Sequence, residues 1–187
     1  FAEQDYWGLR ASLSLDVNDA LSIALMAQHV ADDGASSELW LPRPDLLADP
    51  NDIRLTTVTL ADPFLKFTTD NVNLDVGYEL GFATLHTVTG YAGLDLHDVD
   101  DCAGLSFLAG CVRSALPDRH HQWSQEVRLS SHGEASLDWL VGVSYYDEQG
   151  SRNYYEIMPV LEPQPRINRV NRSGGTTLAV FGQAVRR

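Results

Sequence analysis

The sequence predicts an all-β fold: an antiparallel up-and-down sheet of about seven strands belonging to a transmembrane β-barrel. Three observations lead there. Apolar and polar residues alternate with period two over several runs, the signature of strands with one apolar face. The other face of those runs carries small residues and ionised ones such as Glu126 and Arg128. These would be costly in a packed core but suit a water-filled or polar-plugged lumen. The connections between runs read, in order, short, long, short, long, short, long. Outer-membrane barrels show that asymmetry, with short periplasmic turns and long extracellular loops.

The first strand is predicted from Asp5 to Val17, where Trp7, Leu9, Ala11, Leu13, Leu15 and Val17 alternate with Gly8, Arg10, Ser12 and Ser14. Its residues, at about 3.3 Å each and tilted about 45°, rise roughly 30 Å, enough to cross a hydrocarbon core. Asn18 and Asp19 supply a turn. The return strand, Leu21 to Val30, sets Leu21, Ile23, Leu25 and Ala27 against Ser22, Ala24, Met26 and Gln28. Asp32 to Lys66 contains Pro42, Pro44, Pro50 and Pro63, keeps no period, and is expected to be a surface loop. From Thr69 to Leu80 the alternation is cleanest: Val72, Leu74, Val76, Tyr78 and Leu80 against Asn71, Asn73, Asp75, Gly77 and Glu79. After a tight turn near Gly81 the chain returns from Phe82 to Leu96, with Thr87, Val88 and Thr89 leaving both facings open.

A long loop is expected from Asp95 to His121. The clearest hairpin follows, from Gln122 to Glu148. Its first arm places Trp123, Val127 and Leu129 on one side, with Gln125 between them, and Ser124, Glu126, Arg128 and Ser130 on the other. Its second arm places Trp139, Val141, Val143 and Tyr145 opposite Leu140, Gly142, Ser144 and Tyr146. The segment SSHGEAS between the arms is a turn by composition. A third long loop, Gln149 to Gly175, and a last strand, Thr176 to about Val185, complete the chain. With the short turns periplasmic, Trp7, Tyr91, Trp123 and Tyr145 fall towards the outer end and Tyr78 and Trp139 towards the inner, where interfacial aromatic girdles belong.

Composition removes several functions. The net charge of −13, from 26 acidic and 13 basic residues, speaks against nucleic acid as a partner, because such binding rests on Lys and Arg neutralising phosphates. No apolar run approaches the ~20 residues of a spanning helix, as expected where lipid-facing and lumen-facing residues alternate. There is no G-x-S-x-G elbow, and Gly174-Gly175 has no following Lys and opens a strand, so neither a serine hydrolase nor a phosphate loop is indicated. No enzyme is expected.

QWSQEVRLSS, then LDWLVGVSYYDE, then TTLAVFGQA, together with DYWGLRASLSLDVNDALSI and LGFATLHTVTGY, resemble the barrel of TonB-dependent outer-membrane receptors of Gram-negative bacteria. The order of the segments carries the likeness. The resemblance implies that residues 1–187 are an internal part of a barrel of roughly 22 strands. Phe1 is not an initiator and no closing element follows the last strand, which fits a slice without its plug domain and amino-terminal TonB-contacting segment. It also implies location in the outer membrane, in contact with its lipid, and energised uptake of a scarce nutrient or metal chelate: siderophore-bound iron, cobalamin or a saccharide. No cofactor is implied. A different class stays open, a secreted all-β ligand- or carbohydrate-binding module. There Asp75, Glu79, Glu126 and Arg128 would lie on the outer surface, with short loops at both ends; the loop asymmetry weighs against it.

On that reading Arg10, Asp75, Glu79, Glu126 and Arg128 are candidates to face the lumen and plug. Glu126 and Arg128 lie two apart on one face, either towards the plug and transport path or as an ion pair that only sustains the wall. His97, His120 and His121 are candidates for a ligand-capture rim, although adjacent His120 and His121 would point to opposite faces of an extended chain and not chelate one metal together. Asp95, Asp98, Asp100 and Asp101 with His97 form an oxygen-rich cluster that matches no EF-hand spacing and reads as a solvated acidic loop, so no metal site is assigned. Cys102 and Cys111 are either unrelated thiols or a disulfide; a bridge closing about 10 residues would contribute roughly 2.7 kcal/mol, and an oxidising periplasm favours it.

Overall fold

The computed structural model describes residues 5–34, 64–101, 112–132, 136–158 and 162–186. They form one seven-stranded sheet in strict sequence order, β1-β2-β3-β4-β5-β6-β7, with every neighbouring pair antiparallel. The strands are β1 (Tyr6–Asn18), β2 (Leu21–Gly34), β3 (Phe64–Glu79), β4 (Ala83–Asp101), β5 (Val112–Ser131), β6 (Leu137–Met158) and β7 (Glu162–Arg186). The architecture is that of an up-and-down β-barrel wall. Cys102 and Cys111 lie outside the described residues.

Short turns pin one end of the sheet. Asn18 Oδ1 accepts from the backbone N–H groups of Ala20 and Leu21, both at 2.9 Å, which closes the β1–β2 turn as an Asx motif. Leu80 N–H donates to Ala83 O at 2.8 Å across the β3–β4 turn, where Gly81 has φ +85, a conformation that favours glycine. Away from this end the strands lengthen steadily, from 13 residues in β1 to 25 in β7.

Three predicted loops are corrected by that lengthening. β2 runs on to Gly34 and β3 begins at Phe64, so the ends of the Asp32 to Lys66 segment are strand. β4 continues through Asp101 and β5 starts at Val112, so most of Asp95 to His121 is paired. The expected loop Gln149 to Gly175 is a ladder instead, running from Gln149↔Gly174 to Met158↔Glu162. Backbone pairing does not depend on hydropathy; where both faces meet water, a strand has no reason to alternate. The acidic cluster is corrected likewise: Asp95 and His97 lie on one face of β4 and Asp98 on the other, so pairing splits it.

The register fixes the two faces across all strands. One carries Leu13, Leu25, Leu74, Tyr145 and Leu178 in a single row, then Leu15, Ile23, Val76, Val127, Val143 and Val180 in the next. These side chains are largely uncovered: Leu178 is 70% exposed and Val180 83%. Among the described residues only Val30 and Ala83 are buried apolar ones. A water-soluble sandwich would cover that face with a second layer; a lipid-facing wall leaves it bare.

The limit of the apolar face runs at a slant. On β1 it begins at Trp7, in the row Trp7–Ala31–Thr68–Asp95–Arg119–Ser151–Arg172. On β3, β4 and β5 it begins two rows lower, at Val72, Tyr91 and Trp123; on β6 and β7 it begins three rows lower, at Tyr145 and Leu178. Three rows correspond to about 20 Å along the strands, and six strand spacings to about 29 Å across them. A level membrane surface crossing the sheet on that line meets strands tilted about 35°, within the range of membrane barrels. Trp123 and Tyr145, with ring centroids 5.8 Å apart, stand on the line.

The facing of the return strand β4 follows from its partners. Thr87 and Thr89 lie on the apolar face beside Gln125, and the three satisfy one another. Thr89 Oγ1 donates to Gln125 Oε1 at 2.6 Å, and Gln125 Nε2 donates to Thr87 Oγ1 at 2.7 Å, with Val88 O and Glu126 O each at 3.2 Å. Polar groups persist in an apolar setting when paired in this way.

Candidate functional site

The face opposite the apolar one carries the charge. Arg10, Asp75, Glu79, Glu126 and Arg128 all lie on it, because the pairing Asp75↔Val88↔Glu126 and the alternation along β1, β3 and β5 bring them to one side. Their chemistry is that of a paired wall. Asp75 Oδ1 lies 2.7 Å from His86 Nε2, and Glu126 Oε1 3.7 Å from Arg128 Nη1. Glu79 accepts from Thr84 Oγ1 at 3.0 and 3.1 Å and meets His132 Nε2 at 3.2 Å, beside the short turns. These side chains are partly exposed, so water screens the pairs and each contributes little to stability. Together they make a hydrophilic surface without a large unpaired charge. Arg10 stands on the edge strand and forms no ion pair with the described residues.

Small residues shape this face. A Cβ on Gly142 would overlap the ring of Phe181, which lies across it from β7. Glycine thereby admits the aromatic ring to the face that carries the charge.

Further from the turns, alternation along β5 puts Asp118 on the same face as His120 and Glu126, beside a bulge in the β5–β6 pairing between Leu116 and Arg119. Its side chain is only 7% exposed, with His120 Nε2 at 3.0 Å and Arg152 Nε at 3.7 Å. The imidazole of His120 lies against Gly150, leaving no room for a side chain there. Just below, Tyr146 Oη donates to Glu148 Oε2 at 2.8 Å. Asn71, Gln122, His120 and Glu148 border a cavity of about 490 Å³.

The three histidines of the expected rim are not brought together. His120 lies on the polar face with Asp118, whereas His121 and His97 lie on the apolar side, above the aromatic line. His97 packs edge-on against Phe64, with centroids 4.9 Å apart. Among the described residues no group of metal-type ligands converges.

Sequence reasoning missed His86, His132 and Asp118. For His86 a signal existed: the tight turn at Gly81 sets the β3–β4 register, which places Gly77 opposite His86 and leaves Asp75 as its diagonal neighbour. Asp118 carried none, because a bulge within a polar stretch leaves no period to break.

No protein-family model and no curated protein matches the sequence. Among solved structures, the chain is similar in fold to the ferric yersiniabactin uptake receptor FyuA from Yersinia pestis, with a TM-score of 0.70 at 16% identity. The match covers 98% of this chain and 27% of that receptor, so the chain spans about a quarter of its length and shares the fold of one part of it.

Proposed function

We propose that this chain is part of the barrel of an outer-membrane receptor that imports a scarce nutrient by TonB-energised transport. The observation that supports this most is the slanted, uncovered apolar face backed by one whose charged side chains are paired. Such a wall separates lipid from an aqueous or plugged interior. The fold shared with FyuA supports a receptor and transporter role. On this reading Arg10, Asp75, Glu79, Glu126 and Arg128 face the lumen and a plug domain. His120, oriented by Asp118, stands on the outer part of that wall, and Cys102 and Cys111 are bridged outside the cell. The cargo belongs to the siderophore-iron, cobalamin or saccharide class, and the work is mechanical rather than catalytic.

Two measurements test it. Expressed without detergent, the chain is expected to be insoluble, with β-structure recovered by circular dichroism only in micelles; a soluble, cooperatively melting monomer would overturn the proposal. In cells, deletion of the gene should abolish TonB-dependent uptake of one radiolabelled member of the three cargo classes. Unchanged uptake of all three would remove the transport role while leaving the membrane wall intact.

A further inference from the structure

On the polar face, the cavity of about 490 Å³ is lined by hydrogen-bonding groups that the wall itself leaves unused. The pairing Asn71↔Ala92↔Gln122↔Glu148 sets three of them in one row, with the small Ala92 as floor between the two carboxamides. Neither carboxamide has a hydrogen-bond partner among the described residues. Glu148 accepts from Tyr146 through Oε2, which leaves Oε1 to the cavity. His120 and Ser173 stand in the next row, on either side of Gly150. Asp118 Oδ1, 3.0 Å from His120 Nε2, favours the proton on that nitrogen, so Nδ1 is left as an acceptor over Gly150. His121 and Gln149 also border the cavity, but alternation turns their side chains to the other face.

Charge limits what can bind. The one carboxylate turned into the cavity is that of Glu148, and no Lys or Arg borders it. Arg152 stands a row beyond, beside Asp118, and Arg10 shares the row of Asn71 but lies two strands away. An anionic chelate would therefore meet a carboxylate with no fixed cation to offset it. Asn71 and Gln122 each donate and accept, while Glu148 and His120 accept; hydroxyl groups, which do both, match that mixture.

We propose that this cavity is a subsite for a neutral saccharide, whose hydroxyls donate to Glu148 Oε1 and His120 Nδ1 and accept from the amides of Asn71 and Gln122. The inference rests on the reading that the polar face lines a transport path, and it selects one of the three cargo classes. Only Ala92 and Leu94 turn apolar side chains to the cavity, so a corrin macrocycle would find little surface to rest on.

Cells carrying the whole receptor, and cells with its gene deleted, are given three radiolabelled probes. These are a mixture of neutral glucan, xylan and chitin oligosaccharides, ferric citrate, and cyanocobalamin. Gene-dependent uptake is expected for an oligosaccharide. Gln122→Ala and Asn71→Ala should each raise its half-saturating concentration about fivefold, the loss of one hydrogen bond. An unchanged maximal rate reports that the variants insert normally. Gln28→Ala, in the same row but outside the cavity, should change neither quantity. Gene-dependent uptake of ferric citrate or cyanocobalamin alone, or saccharide uptake indifferent to both cavity substitutions, would overturn the subsite and leave the receptor reading standing. No gene-dependent uptake of any probe would overturn the receptor reading, and the subsite with it.

Discussion

The part of the sheet between the short turns and the aromatic line differs from the part beyond it in one respect, the solvent on its second face. Below the line, Leu25, Val141 and Val143 stand bare on one side while Asp75, Glu126 and Arg128 pair on the other. Beyond it, cross-strand polar pairs replace the apolar rows: His29 with Asp70 at 2.7 Å, Lys66 with Asp33, Arg119 with Asp95. The backbone ladder runs through both, and from β2 to β7 it is broken only by bulges far from the short turns. Hydropathy therefore records which medium a strand meets, and pairing records the strand itself.

The largest test of that contrast is to move a charge across the line. Val143→Arg, in the middle of the apolar rows, is expected to cost about 2–4 kcal/mol in urea unfolding from vesicles, whereas Gln149→Arg, beyond the line on the same face and strand, should cost no more than about 1. Equal costs would mean that the two regions meet the same medium.

A smaller effect sharpens the picture within the apolar region. Thr87→Val removes an acceptor from Gln125 Nε2 and should destabilise by about 1–2 kcal/mol in lipid. Gln125→Leu removes the demand with the group and is expected to be near neutral in the same titration. A large loss from Gln125→Leu would show that the trio supports more than itself.

The smallest effect on the wall is expected on its polar side. The 3.7 Å contact between Glu126 and Arg128 is partly exposed, so Glu126→Leu should change unfolding of the inserted wall by less than about 1 kcal/mol. On the proposed reading it disturbs plug seating in the whole receptor instead, measured as protease sensitivity of the plug. Normal seating and normal uptake would leave that pair with a purely structural part.

How much was legible in the sequence follows the same division. Every strand but β4 left a period-two trace where one side is apolar, and the five charged candidates fall on the face that alternation gave them. β7 illustrates the failure: its turn-proximal half, around Leu178 and Val180, alternates, while Glu162 to Gly175 reads as loop although it is strand, in unbroken register with β6 from Ile167 onwards. Thr87 and Thr89 failed differently. Their facing depends on Gln125, distant in sequence and recognisable only once the β4–β5 register is known. The histidines separated because strand parity, not sequence distance, decides which can meet.

Strand orientation in aligned bilayers, measured by polarised infrared dichroism of the amide bands, tests the central claim most directly. A sheet that crosses the membrane on the slanted line should show strands tilted about 35–45° from the bilayer normal. Strands lying in the membrane plane, or a chain that washes off the bilayer, would contradict it.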